Sequence, residues 1–389
     1  MRQKTVIVNL TIFISSCIIS FLTLEVTLFA LNRIGYLNLL TVPTYTLAEV
    51  NTGVWIADIN PNFGVWHPNY ATYRHQHYCF DVIYQANSYG ARDKERARVA
   101  SEARLIVLGD SFVEGYGVAD EDRISNRLEK NTGMPHLNFG TNGDFGPTQY
   151  YLLYKTLGQE FSHDGVLIGI LPANDFADDD LTFGQAYHVT RYRPYWQGDY
   201  PNYALVYHVD TLEDSTFRPH IISAPSVSES RYESVKKFLR RFSYTYDTFL
   251  QIIHVSRGTA EVTVDYATYS GYYEYTEPQL KRLEYSLEQI IALAGDKPVV
   301  IFTIPVKQDF ERYHQVGSAP LSTALEQFSQ THHLQYVDLL PVMYRHTDNW
   351  QDYFLSCDAH WNGYGYETAV YYLEEQLKIT FYDLLLDKK

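Results

Sequence analysis

The run Leu105-Ile106-Val107-Leu108-Gly109 limits the fold more than any other stretch of this 389-residue chain. A short, unbroken apolar segment rich in branched residues reads as a strand buried on both faces, and it stops abruptly at Asp110-Ser111. Such a strand delivers Ser111 to the carboxyl edge of a parallel sheet, where open α/β sheets bind ligands. A helix expected from about Glu121 would point its donor-rich start at the same edge. Gly-Asp-Ser alone is also a common turn. Ser111 becomes a candidate nucleophile only if the chain supplies a base and an oxyanion site.

The following chain alternates. Helix signals run from about Asp120 to Asn131, a strand covers His136 to Gly140, a helix runs from Pro147 to about Gln159, and a second buried strand covers Gly165 to Ile170. From about Phe176 to Thr276 the rhythm lapses into Tyr- and Pro-rich pieces such as Tyr192-Arg193-Pro194-Tyr195-Trp196, with a basic patch from Lys236 to Arg241. This stretch reads as an insertion bordering the site. Its acid run Asp178-Asp179-Asp180 lacks the staggered ligands and glycine turn of a calcium loop and reads as a solvated face. Alternation then returns: a helix from Glu277 to about Ala294, a strand from Pro298 to Pro305, a helix from Leu321 to His332, a strand from Leu334 to Leu339 and a last helix from about Tyr366 to Lys378. The expectation is an α/β fold, a three-layer αβα sandwich around five parallel strands.

Arg2 and Lys4 precede an apolar segment from Thr5 to Leu31, too long for the core of a cleaved secretory signal. It reads as a transmembrane anchor, with Ile14-Ser15-Ser16-Cys17 as a weaker, lipobox-like alternative. Positive charge on the short side predicts a cytoplasmic amino terminus and a periplasmic or extracellular bulk. Glu25 then lies toward the outer boundary, within reach of headgroups. The expected organisation is an anchor over 1–33, an arm over 34–100, and a catalytic domain over 101–389 interrupted by the insertion at about 176–276.

A formal net charge of −15 argues against nucleic acid and polyanion partners. The 35 tyrosines suit carbohydrate or acyl-chain surfaces as well as cores. His75 and His77 alternate as in a strand, His332 and His333 adjoin at a helix end, and neither pair has acids at ligand spacing, so surface or capping roles are expected and no metal. Cys79 and Cys357 would lie outside the cytoplasm, where disulfides persist, and their pairing would pin the arm to the loop that carries Asp358; two separately buried thiols are the alternative.

Four pieces fall at strand ends: Ser111, the loop from Asn138 to Gly143, Asn174, and Asp358-Ala359-His360. His360 is a credible base, and Asp358 could fix its tautomer. The backbone N–H groups of Ser111 and Gly143 and the side-chain amide of Asn174 suit a tetrahedral oxyanion. With these blocks in this order the chain resembles the SGNH (GDSL-like) serine hydrolases. The resemblance matches Gly109-Asp110-Ser111, the Asn138 to Gly143 loop, Asn174-Asp175 and Asp358 with His360, and covers about Arg104 to the end, less the insertion. It implies Ser111 as nucleophile, Gly143 and Asn174 as oxyanion donors, His360 as base and Asp358 as its orienting acid. Asn87-Ser88-Tyr89-Gly90-Ala91-Arg92-Asp93 also resembles a segment of membrane-anchored members. One departure stands out, because the family usually places two residues between acid and histidine and here there is only Ala359. Asp-x-His-Trp is similar to the polysaccharide O-acetyltransferase group, including alginate acetylation proteins, and Asp352 is the alternative acid.

The expected function is that of an extracytoplasmic, membrane-anchored serine esterase acting on an ester of a cell-envelope glycan or lipid, an O-acetyl group first among them, with no cofactor. Acyl transfer to an exopolysaccharide and a catalytically silent envelope-binding or assembly role are the alternatives.

Overall fold

The computed structural model describes residues 2–34, 54–77, 79–217, 243–246, 248–249, 270–356 and 358–381. The chain divides into two units, one made of 1–49, 76–81 and 223–264, the other of 50–75, 82–222 and 265–389.

In the first unit a single helix, Arg2–Arg33, contains the apolar stretch Thr5–Leu31, 27 residues long. At ~1.5 Å per residue it reaches about 40 Å, enough to cross a hydrocarbon layer of roughly 30 Å. Thr11, Thr23 and Thr27 return their hydroxyls to carbonyls four residues back, so these polar side chains are satisfied within the helix. Glu25 corrects the expectation of a headgroup contact. Its carboxylate accepts from the Ser243 hydroxyl at 2.6 Å and from the backbone N–H groups of Tyr244 at 2.8 Å and Thr245 at 3.0 Å. An acid in an apolar helix is costly unless paired, and here donors from the inserted segment supply the pairing.

The second unit is built on five parallel strands: β5 (Leu105–Gly109), β6 (His136–Gly140), β7 (Gly165–Ile170), β10 (Val299–Thr303) and β11 (Gln335–Asp338), counting four short strands before them and two between. They lie in the order β11-β10-β7-β5-β6, or 2-1-3-4-5 by appearance, the flavodoxin-like doubly wound pattern. Every residue of β5, β6, β7 and β10 is buried, which is why they read as continuous apolar runs. β5 to β6 steps toward one edge and β6 to β7 steps back across β5. Right-handed crossovers therefore put the helices Ile124–Thr132 and Pro147–Thr156 on opposite faces. Glu277–Ala294 packs beside the latter and Gly363–Thr380 beside the former, which completes three layers. The strand order reverses between β5 and β7, and Ser111 follows β5.

One expected helix start is displaced. A single helical turn, Ser111–Glu114, begins at the serine itself, and the helix foreseen from Glu121 starts at Ile124 after a 3₁₀ turn at Asp120–Asp122. The donors at the sheet edge thus come from the serine's own turn.

Residues 82–93 brace that turn. Asn87 closes a loop by accepting from the N–H of Ala91 at 3.0 Å. Arg92, fully buried, lies 3.5 Å over the Tyr84 ring and donates to the carbonyls of Gly115 at 2.5 Å and Val118 at 2.8 Å.

Within the insertion a helix, Leu181–Tyr187, precedes the antiparallel pair β8 (Pro194–Gln197) and β9 (Ala204–Tyr207). The acid run is not a solvated face. Asp178 and Asp179 are each 4% exposed: Asp178 lies 3.6 Å from Arg193, and Asp179 accepts from the Thr148 N–H at 3.1 and 3.0 Å. Asp180 caps the helix at Thr182 and Phe183 and meets Arg282 at 2.8 Å. Partners remote in sequence lie against these acids. The basic patch at 236–241 lies outside the described residues. Cys79 is held in a disulfide and Cys17 is free; Cys357, its expected partner, also lies outside the described residues.

Candidate active site

Ser111 stands at the first position of a helical turn capped by Asp110, whose carboxylate accepts from the N–H of Phe112 at 3.0 Å. Its own N–H is therefore among those a helix start leaves without an intrahelical acceptor. Its hydroxyl lies 2.8 Å from Nε2 of His360. Nδ1 of the same ring is 2.5 Å from Oδ1 of Asp358, and that oxygen also accepts the His360 backbone N–H at 3.0 Å. One intervening residue is enough, because the tight turn brings acid and ring together. With Nδ1–H donated to a carboxylate, Nε2 presents its lone pair to the serine. Asp352, the alternative acid, instead accepts from the Asn349 side chain at 2.8 Å.

The imidazole sits in an aromatic slot. Tyr116 stacks on it at 4.0 Å between centroids and 18° between planes, Phe112 packs at 4.6 Å, and Trp361 next in sequence is fully buried with its indole N–H on the Pro305 carbonyl at 3.1 Å. His75 meets the Tyr116 ring edge-on at 4.6 Å. Burial, outweighing the attraction of Glu114, holds its imidazole down to about 4, so near neutrality it is uncharged, and its Nδ1 shares a hydrogen bond with the Tyr84 hydroxyl at 2.9 Å. The surface or capping role expected for His75 is thus replaced by a place in the site's wall.

A cavity of about 710 Å³ opens over Ser111 and His360, and Gly143 and Asn174 line it with them. Its remaining wall includes Trp55, Ile56, Tyr73, Leu171, Phe217 and Val306, so it is mainly apolar and aromatic. Four of the five expected site residues thus line one cleft, and the fifth, Asp358, bonds the His360 ring at Nδ1.

The loop carrying Gly143 is held closely. Gly140 lets β6 approach the serine turn: a Cβ there would lie 2.2 Å from the Glu114 nitrogen. Gly143 has φ +93°, a conformation glycine tolerates. Glu114, fully buried, accepts from Trp55 Nε1 at 2.7 Å and from the Asn142 N–H, with His67 at 3.6 Å. Burial would raise its carboxyl, but His67, Arg92 and the Trp55 bond prevail and hold it below the usual range, as an anion.

Asp144, Asp178 and His188 bring potential ligand atoms within 4.8 Å of one another. Arg191 lies 3.1 Å from Asp144 and Arg193 3.6 Å from Asp178, so both carboxylates already face fixed cations. Burial, reinforced by Arg193, holds His188 down to about 4. With these arginines beside its carboxylates, we assign the cluster no metal.

With this geometry in view, no family model matches the chain, and no curated protein matches it. Solved structures do. They include the lipase/acylhydrolase from Enterococcus faecalis (11% identity, TM-score 0.35, 71% of this chain and 95% of that one). Others are a member of the lipolytic protein G-D-S-L family from Veillonella parvula (12%, 0.35, 70% and 97%) and a GDSL-like lipase from Bacteroides thetaiotaomicron (9%, 0.34, 73% and 92%). The chain is similar to these G-D-S-L lipolytic proteins.

Sequence reasoning missed Glu114, Tyr116 and Arg191. Glu114 and Tyr116 lie three and five residues beyond the serine, a signal available but unread. Arg191 had none, because its partners are remote in the chain.

Proposed function

We propose that this chain is a membrane-anchored serine esterase whose catalytic unit lies outside the cytoplasm. The observation that carries the reading is the chain of contacts from the Ser111 hydroxyl through the His360 ring to Asp358, 2.8 and 2.5 Å long. Ser111 Oγ attacks an ester carbonyl while its proton passes to His360 Nε2, and Asp358 stabilises the imidazolium that forms. The oxyanion takes N–H donors from Ser111, Gly143 and Asn174. Collapse expels the alcohol, which receives the His360 proton, and leaves an acyl-serine. Water, deprotonated by His360, then attacks the acyl carbon and frees the acid.

The aromatic wall suits stacking on sugar rings, which supports an O-acetylated envelope glycan as substrate. Arg2 and Lys4 on the short side of the anchor support a cytoplasmic amino terminus. The test is acetate release from acetylated glycan by full-length protein in detergent. The wild type releases acetate and Ser111→Ala does not; equal release by both would end the esterase reading. Adding an unacetylated oligosaccharide separates hydrolysis from transfer, since transfer yields acetylated acceptor in place of acetate. A wild type inactive in both assays would favour the silent binding role.

A further inference from the structure

The acceptors behind the oxyanion loop converge on one side chain. Gly143 and Asp144 are consecutive residues with positive φ, +93° and +62°, and the second is not a glycine, so something must hold the pair in place. Arg191, in the insertion, does so from behind. Its Nη2 donates to the Gly143 carbonyl at 3.1 Å and its Nη1 to Oδ2 of Asp144 at 3.1 Å. Arg193, fully buried, adds a weaker contact to the same carbonyl at 3.5 Å. The Arg191 guanidinium is itself fixed. Asp58, 3% exposed, accepts from its Nε and Nη2 at 3.2 Å, and Phe217 packs under it at 3.8 Å. One residue earlier, the Asn142 carbonyl accepts from the Thr141 hydroxyl at 3.3 Å while Glu114 takes the Asn142 N–H. Peptides are planar and trans, so with the Asn142 carbonyl turned to Thr141 the Gly143 N–H faces the opposite way. Gly143 lines the cleft beside Ser111.

We propose that Arg191 is a positioning residue for catalysis: it holds the left-handed Gly143-Asp144 pair so that the Gly143 N–H is aimed at the oxyanion before substrate arrives. The inference rests on the esterase reading above. It gives the insertion a task in the reaction, and that task needs a guanidinium. One Nη reaches the carbonyl and the other the carboxylate, a fork that a lysine ammonium cannot reproduce.

The experiment compares full-length wild type, Arg191→Lys and Arg191→Ala with a neutral aryl acetate and with a serine-reactive fluorophosphonate. Losing a direct oxyanion donor costs ~10²–10³ in rate, so misaiming one is expected to lower kcat about 10- to 100-fold with KM nearly unchanged. Arg191→Lys keeps a cation beside Asp58 and decides the matter if Arg191→Ala does not fold. Added guanidinium is expected to restore part of the kcat of Arg191→Ala, which a merely structural role would not allow. Phosphonylation of Ser111 slows in parallel, because that reaction also develops charge on the oxygen. Wild-type kcat and labelling rate in a folded Arg191→Lys protein would overturn the inference and leave the esterase reading intact. A lowered kcat without guanidinium rescue and with wild-type labelling would also overturn it. A wild type that neither labels nor hydrolyses would sink the esterase reading itself.

Discussion

The two loops that form the cleft are held by opposite means. The serine turn and the oxyanion loop behind it are fixed by groups from far along the chain: Arg92 under the turn, Trp55 on Glu114 and Glu114 in turn on Asn142, Arg191 on Gly143. Several of these are buried ions whose partners must all be present. The loop bearing His360 is held by its neighbours. Asp358 bonds a ring and an N–H two residues on, and the Leu355 N–H reaches the His360 carbonyl at 2.9 Å, while Trp361 at the loop's end reaches farther, to the Pro305 carbonyl. His360 and Asp358 have 19% and 27% of their side chains exposed, whereas Glu114 has none. The nucleophile's side is therefore tied to global folding, while the base's side can be altered locally.

That contrast breaks most visibly at Asp358. Asp358→Asn removes the acceptor that fixes the His360 tautomer, and kcat is expected to fall ~10³–10⁴-fold while urea-unfolding stability changes by less than about 1 kcal/mol. A large stability loss would show that the base's loop is as deeply wired as the serine's. Glu114→Ala should behave in the opposite way. It leaves the Trp55 and Asn142 donors buried without their acceptor, so a stability loss of about 3–5 kcal/mol is expected by chemical denaturation, with kcat falling through a loosened Asn142-Gly143 backbone.

Smaller effects sharpen the picture. Tyr116→Leu keeps bulk but removes the ring stacked on His360, and a cation–π contribution of about 1 kcal/mol corresponds to roughly a fivefold loss of kcat at unchanged KM. The last concerns His75. Its folded-state value, about 4, lies below the ordinary 6.5, so between those limits the unfolded chain binds more protons than the native one. His75 stability is therefore present above pH 6.5 and lost as pH falls toward 4. His75→Gln lacks this loss, and the stability gap between wild type and variant should narrow by on the order of 2 kcal/mol from pH 7.5 to 4.5, read by thermal melts. A gap independent of pH would mean that His75 is not held neutral.

What could be read beforehand follows the same division. β5, β6, β7 and β10 were legible because strands buried on both faces have no polar alternation to blur them, and Glu277–Ala294 because Leu280, Leu283, Leu287 and Ile291 fall on one side of it. The helix Lys307–Val316 was not, since KQDFERYHQV is mostly polar and buries only Asp309 and Phe310. Ser111, Asp358 and His360 were legible from local motifs, and the structure brings them together across 249 residues. Glu114 and Arg191 act on residues 28 and 48 positions away, and the acid run was misread because Arg193, Thr148 and Arg282 are invisible to a local reading. Pairings between remote charges are decided by topology, which no window of sequence contains.

The most direct measurement is to map the adduct formed when the full-length protein, in detergent, meets a fluorophosphonate. The account predicts one modified peptide, carrying the phosphonyl group on Ser111, absent in Ser111→Ala and formed far more slowly in His360→Ala. An unmodified wild type, or an adduct on any other residue, would contradict it.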